Sequence, residues 1–153
     1  MTLRSADHSS FVIERRFSAP AARVFASWSN AEKKQRWFAC HDEWKLVEYQ
    51  LDFRVYGTEE NAVKRPDGVV HRFRAQFLDI VPEQRIVFAY AMHVGDVRIS
   101  ASLVTIVFAD EGKSTRMTFT EQVVFFDGHG DVNERREGTE IGLENLATEL
   151  ARS

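Results

Sequence analysis

Residues 120–150 read TEQVVFFDGHGDVNERREGTEIGLENLATEL, and this stretch decides the fold. Its first part continues a strand that begins at Ser114, in which Met117, Phe119 and Glu121 share one face. Asp127-Gly128-His129-Gly130 then interrupts the alternation with glycine on both sides of the histidine. From Asp131 the period changes. At ~100° per residue, Val132, Thr139, Leu143, Leu146 and Leu150 fall on one stripe, so residues 131–151 are predicted to form a long amphipathic helix with a polar outer face.

Working back toward the N-terminus, the period of two recurs. Residues 114–124 and 99–108 read as strands joined by the turn Asp110-Glu111-Gly112-Lys113. Ile86, Phe88, Tyr90 and Met92 form one face of the strand before them. Residues 69–80 place His71, Phe73, Ala75 and Phe77 on one side, after a hairpin turn at Pro66-Asp67-Gly68. From about Trp44, Tyr49, Leu51, Phe53 and Val55 alternate toward a turn at Gly57. Residues 11–18 (FVIERRFS) read as the first strand, behind a polar tail over residues 1–10. Ser18-Ala19-Pro20 starts a helix that runs to Trp28, and Asn30 caps a second over residues 31–38. The prediction is an α+β chain: one strand, two short helices, six strands in meander order and a closing helix. Residues 11–153 are expected to form a single domain, since no repeat, linker or low-complexity segment divides them.

Composition narrows the function classes. The 153 residues are 44% hydrophobic with a net charge of -3, which argues for a packed core rather than disorder. Acidic and basic residues are interleaved, so no concentrated basic face for nucleic acid is expected; Arg15-Arg16 and residues 33–36 (KKQR) are too short to form one. No run approaches the ~18 apolar residues of a membrane span, and residues 1–10 lack a secretory pattern. The one cysteine, Cys40, forbids an internal disulfide and suits a reducing cytoplasm. Twelve phenylalanines are the unusual feature.

Six or seven strands at ~4.8 Å spacing make a twisted sheet far wider than one helix of ~10 Å. Either large side chains fill the difference or a hollow remains. Phe73, Phe77, Phe88, Tyr90 and Phe119 are candidates to line it, with ordinary core packing as the competing reading. Gly138 and Gly142 lie four residues apart inside the closing helix, beside Arg135, each costing ~1 kcal/mol against alanine. Close approach of another backbone is the favoured explanation; room for a ligand is the other.

The order of elements, the segment VFASWSNAEKKQRWF (residues 24–38) and the C-terminal pattern Glu121-Gln122, Phe126-Asp127-Gly128, Asp131, Arg135, Gly138-Thr139 resemble the SRPBCC (START-like, helix-grip) superfamily. Within it, the chain is similar to the family of the activator of the heat-shock protein 90 ATPase. The resemblance implies a seven-stranded antiparallel sheet gripping the last helix, with a deep, mostly apolar pocket between them. It supplies no shared catalytic set, and it adds a co-chaperone-like protein-binding role as a further reading. At Tyr56 the sequence departs from the double glycine usual after that strand, which would put a bulky ring near the pocket mouth.

Glu121 is the candidate for chemistry. An inward carboxylate in apolar surroundings would hold its proton more tightly and could orient or deprotonate a ligand; a structural role in bonding the FFDG backbone or pairing with Arg135 is the alternative. His71 and His93 fall on opposite sheet faces, and Cys40-His41-Asp42 cannot easily converge on one ion, so no metal is expected. His129, between glycines, is expected at the surface. Trp37 and Phe38 would either cover the groove or pack in the core. The leading expectation is a binding protein for a small apolar or aromatic molecule, without cofactor. Its candidate lining is Trp37, Tyr56, His71, Phe73, Phe77 and Phe88, with Tyr90, Phe119, Glu121, Arg135, Gly138 and Gly142. The alternative is a cyclase- or hydrolase-type enzyme with Glu121 as base and Tyr90 or His71 orienting the substrate. A homodimer is left open.

Overall fold

A computed structural model describes residues 3–39 and 43–152. The Cys40-His41-Asp42 fragment lies outside the described residues. In chain order the elements are β1 (Ala6–Phe17), α1 (Ala21–Ser29), α2 (Ala31–Phe38), β2 (Lys45–Leu51), β3 (Thr58–Lys64), β4 (Val70–Val81), β5 (Arg85–Val94), β6 (Val97–Asp110), β7 (Thr115–Phe126) and α3 (Val132–Ala151). The strands form one antiparallel, curved, open sheet in the order β1-β7-β6-β5-β4-β3-β2. This is the helix-grip arrangement expected from the sequence. Irregularities in register at Leu46/Glu48, Phe77/Asp79 and Met92/His93 add local twist to the sheet.

Three boundaries differ from the sequence reading. β1 begins at Ala6, because residues 6–10, expected in a polar tail, pair with β7 from Ala6↔Phe126 onward. β7 runs to Phe126, so Phe125 and Phe126 belong to the ladder rather than to the loop. β2 stops at Leu51, and Phe53 and Val55 leave the sheet in a tight loop. That loop closes on itself through Gly57 N–H donating to the Arg54 carbonyl at 2.8 Å, and it is tied to β4 by Tyr56 N–H donating to the Phe77 carbonyl at 2.7 Å. A Cβ on Gly57 would stand 2.2 Å from the Asp52 carbonyl oxygen, so only glycine permits so close a turn. Gly130 is constrained in the same way: its φ is +86°, and a Cβ would meet the Phe125 ring at 2.7 Å.

Alternating residues of the strands face the core, including Ile86 and Phe88 on β5, Val104 and Ile106 on β6, and Met117 and Phe119 on β7. Each such side chain contributes roughly 1.5–3 kcal/mol by leaving water. α1 packs through Phe25, whose ring stands edge-on to Phe108 and to Phe53, the latter retained in the core although its backbone has left the strand. α2 follows at once, with the Asn30 side chain accepting from Lys33 N–H as its cap. Trp28 and Trp37 meet edge-to-face at 4.8 Å across the two helices.

α3 does not lie flat on the sheet. Its C-terminal half is anchored by Leu143, Leu146 and Leu150, all buried. Its N-terminal half touches the core through Val132 at the start of the helix, and between that contact and Leu143 it stands off. A Cβ at Gly138 or Gly142 would meet no heavy atom within 4 Å, and Ile141 between them is exposed. The expected close approach of a neighbouring backbone is therefore absent, and the glycines front open space. No helix among the described residues is long and apolar enough to cross a membrane.

Candidate functional site

The gap beneath the N-terminal half of α3 is a cavity of about 510 Å³. Its floor is the inner face of the sheet, and its far wall is α1 and α2 with Trp28, Trp37 and Phe38. Side-chain parity explains the floor: Asn61, Phe73 and Met92 face one another across β3, β4 and β5, and share a sheet face. The rim on the helix side is Asp131, Glu134 and the exposed Gly138 and Ile141.

Asn61 and His71 lie in the otherwise aromatic floor and wall, and a larger polar cluster forms around Glu121. Glu121 is only 1% exposed. Its Oε2 accepts from the Tyr90 hydroxyl at 2.6 Å, from the Ser102 hydroxyl at 2.7 Å and from Arg135 Nη1 at 3.2 Å. The same Nη1 donates to the Tyr90 oxygen at 2.8 Å, while Nη2 donates to the Ser100 hydroxyl at 2.7 Å. Arg135 thus spans the gap from α3 to β5, β6 and β7, with its guanidinium over the Phe125 and Tyr90 rings at 5.2 and 5.7 Å. The carboxylate sits among hydroxyls and a cation, not in the apolar surroundings expected for a base. Of its two structural alternatives, the pairing with Arg135 is the one formed. Burial, then the Glu121 charge, pushes the Tyr90 hydroxyl pKa well above its ordinary value.

A second buried cluster lies behind the aromatic wall. Lys34 of α2 is 1% exposed and its Nζ donates to Glu59 Oε1 at 2.8 Å; Tyr49 donates to Glu59 Oε2 at 2.8 Å. The ammonium also lies 4.4 Å from the Phe38 ring centroid and 5.0 Å from that of Trp28. Burial lowers the Lys34 pKa against the raising effect of Glu59. The sequence reading missed this pair, treating Lys34 as part of a short basic run. Two signals were present: Lys34 precedes Trp37 and Phe38 by three and four residues, on one helix face, and Glu59 shares strand parity with Asn61 and Val63.

Of the residues expected at the site, Trp37, His71, Phe73, Phe88, Tyr90 and Phe119 line the cavity. Glu121, Arg135, Gly138 and Gly142 also line it. Two expected residues do not. Tyr56 points to solvent, 68% exposed, because its left-handed backbone (φ 67°) turns the ring out of the β2–β3 loop. Phe77 is on the inner face as expected but sealed between Phe53 and Phe88, at 5.0 and 6.0 Å, beyond the end of the cavity. Trp28, Trp44 and Asn61 are lining residues the sequence did not single out, and Phe38, expected to cover the groove or pack in the core, lines it too. His71 stacks edgewise on Trp44 at 4.6 Å in the cavity wall. His93 lies opposite Arg72 and Arg98 in the strand ladder, on the other sheet face, where burial, then Arg74, Arg98 and Arg72, lowers its pKa. His129 is exposed. Among the described residues, no group of three metal-ligating side chains is assembled.

The model of the family described as "Activator of Hsp90 ATPase homolog 1-like protein" matches residues 18–152. The chain belongs to that family. Its fold accords with the SRPBCC superfamily. An uncharacterized protein from Rhizobium leguminosarum superposes with a TM-score of 0.95 at 54% identity, over 99% of this chain and 100% of the other. The Mll3558 protein of Rhizobium loti gives 0.88 at 43% identity, over 95% and 99%. The AHSA1-like protein of Aeromonas hydrophila shares the fold, with a TM-score of 0.71 at 20% identity over 94% and 92% of the two chains. No curated protein matches the chain.

Proposed function

We propose that this family member binds a small apolar or aromatic molecule in the cavity between the sheet and α3. The observation that carries the reading is the stand-off of the helix: two interior glycines face open space rather than packing, above a cavity of about 510 Å³. Small-molecule sites commonly occupy ~300–1,000 Å³, mostly apolar, with a few converging polar groups. Here those groups are Glu121, Arg135 and Tyr90. Tyr90, Ser102 and Arg135 hold Glu121 in place through its Oε2, an arrangement suited to orienting a bound ligand.

A thermal-shift screen with aromatic, sterol, polyketide and fatty-acid probes tests the proposal. A ligand at ~100 times its dissociation constant adds ~2.7 kcal/mol, which for a chain of this size raises Tm by roughly 5–10 °C. Binding is expected to disappear when Gly142→Phe fills the cavity. A screen in which no probe moves Tm, or in which binding survives that substitution unchanged, overturns the reading.

A further inference from the structure

The Glu121 carboxylate is used asymmetrically. Three donors converge on Oε2, whereas Oε1 receives none among the described residues. Oε1 is also not one of the sealed, unpaired polar atoms, and Glu121 lines the cavity, so this oxygen fronts the empty volume. A carboxylate oxygen open to the cavity and without a protein donor is a free acceptor; a ligand that seals it from water without donating to it leaves it unpaired, whereas one that supplies an O–H or N–H does not.

The charges around it define which ligand fits. Among the described residues, three carboxylates line the cavity, Glu121, Asp131 and Glu134, against one guanidinium. That guanidinium is already committed to Glu121, Tyr90, Ser102 and Ser100. An incoming anion would have to compete with Glu121 for Arg135 while passing the acidic rim. The N-terminus of α3, otherwise attractive to an anion, is capped by Asp131, whose Oδ1 accepts from Asn133 N–H at 3.0 Å. We infer that the cavity selects a neutral aromatic molecule carrying a hydrogen-bond donor, a hydroxyl or amide N–H, which donates to Glu121 Oε1, and that it discriminates against carboxylate-bearing amphiphiles such as fatty acids. This rests on the cavity being a ligand site, as proposed above.

Three probes sharing one ring system separate the two ideas: 2-naphthol, 2-methoxynaphthalene and 2-naphthoate, titrated at neutral pH by calorimetry and by amide chemical shifts. A donor to a charged acceptor is worth ~10- to 100-fold in affinity. The naphthol is therefore expected to bind at least about tenfold more tightly than the methyl ether, with the naphthoate no tighter than the ether. In Glu121→Gln the naphthoate should gain on the naphthol, since the repelling charge is gone; the wild-type series decides the matter even if this variant does not fold. Equal affinities for naphthol and ether, or tightest binding by the naphthoate, overturn the inference while leaving the cavity as a binding site. If none of the three binds or shifts a cavity amide, the ligand-site reading itself falls, and this inference with it.

Discussion

Replacing Gly138 and Gly142 by alanine tests the stand-off of α3 directly. Both lie inside the helix, where glycine costs ~1 kcal/mol against alanine through backbone entropy. Neither would place its new Cβ within 4 Å of any heavy atom, so no clash offsets the gain. The two new methyls would be neighbours one turn apart, but each gain arises from the backbone, so the effects should sum to about 2 kcal/mol. At roughly 2–4 °C per kcal/mol for a domain of this size, Tm of the double variant should rise by about 4–8 °C. Calorimetry measures this, with urea unfolding as a check that m is unchanged. Both glycines line the cavity, Gly142 half-buried and Gly138 at its exposed rim, so the methyl at position 142 should lower probe affinity as stability rises. An unchanged or lowered Tm would refute the reasoning, because it would mean that the glycines meet a surface and that the helix is packed where the structure shows a gap.

Two further outcomes concern the buried polar clusters. Lys34→Met should cost ~3–5 kcal/mol, since Glu59 is left charged in a site that is 0% exposed. Adding Glu59→Leu should recover most of that loss, and a single-variant cost under ~1 kcal/mol in urea would show that the pair is not buried together. The tyrosines govern the alkaline limb. Burial, followed by the neighbouring carboxylate, raises the pKa of Tyr49 and of Tyr90 above the ordinary 10.0, so above that pH the folded chain holds more protons than the unfolded and stability falls as pH rises. Lys34, lowered from 10.5, acts in the opposite sense below 10.5. Between pH 10.5 and about 11.5 the slope should therefore be negative, by up to ~1.4 kcal/mol per unit for each ring, and Tyr49→Phe/Tyr90→Phe should flatten it. A slope unaltered by the double substitution would refute the assignment.

What was legible in the sequence was whatever period alone decides. Alternation gave the inner faces of β4, β5 and β7, and Asn30 gave the start of α2, because each is a local property of a few neighbouring residues. Strand parity also turned Glu121 inward. Parity names a face, though, and not a position under the covering helix. Phe73 and Phe77 share a face, yet one lines the cavity while the other is sealed under the loop that holds Phe53. The end of β2 at Leu51 was hidden for a related reason: Phe53 keeps its ring in the core after its backbone turns away, so the apolar alternation outlasts the strand. Lys34 was only half legible: helix spacing sets it beside Trp37 and Phe38, but its burial depends on Glu59, a partner 25 positions away that only the folded sheet supplies.

The two buried carboxylates point to a common reason for the cavity. Glu59 on β3 takes a tyrosine from β2 and a lysine from α2; Glu121 on β7 takes a tyrosine from β5 and an arginine from α3. In each case a helix that covers the sheet is tied to it by a long cationic side chain ending on a strand carboxylate. Such pairs add little net stability over well-packed apolar residues of the same volume, because desolvation cancels much of the attraction. What they can do that apolar contacts cannot is hold two surfaces at a fixed separation. Apolar side chains stabilise only in van der Waals contact, and drawing α3 down onto Phe119 and Phe125 would close the volume. Arg135 instead reaches across that volume to hydroxyls and a carboxylate on three strands, while Leu143, Leu146 and Leu150 anchor the far half of the helix. The leucines supply the attraction and the arginine sets the gap, so the cavity follows from where along α3 the sequence changes from Arg and Gly to Leu.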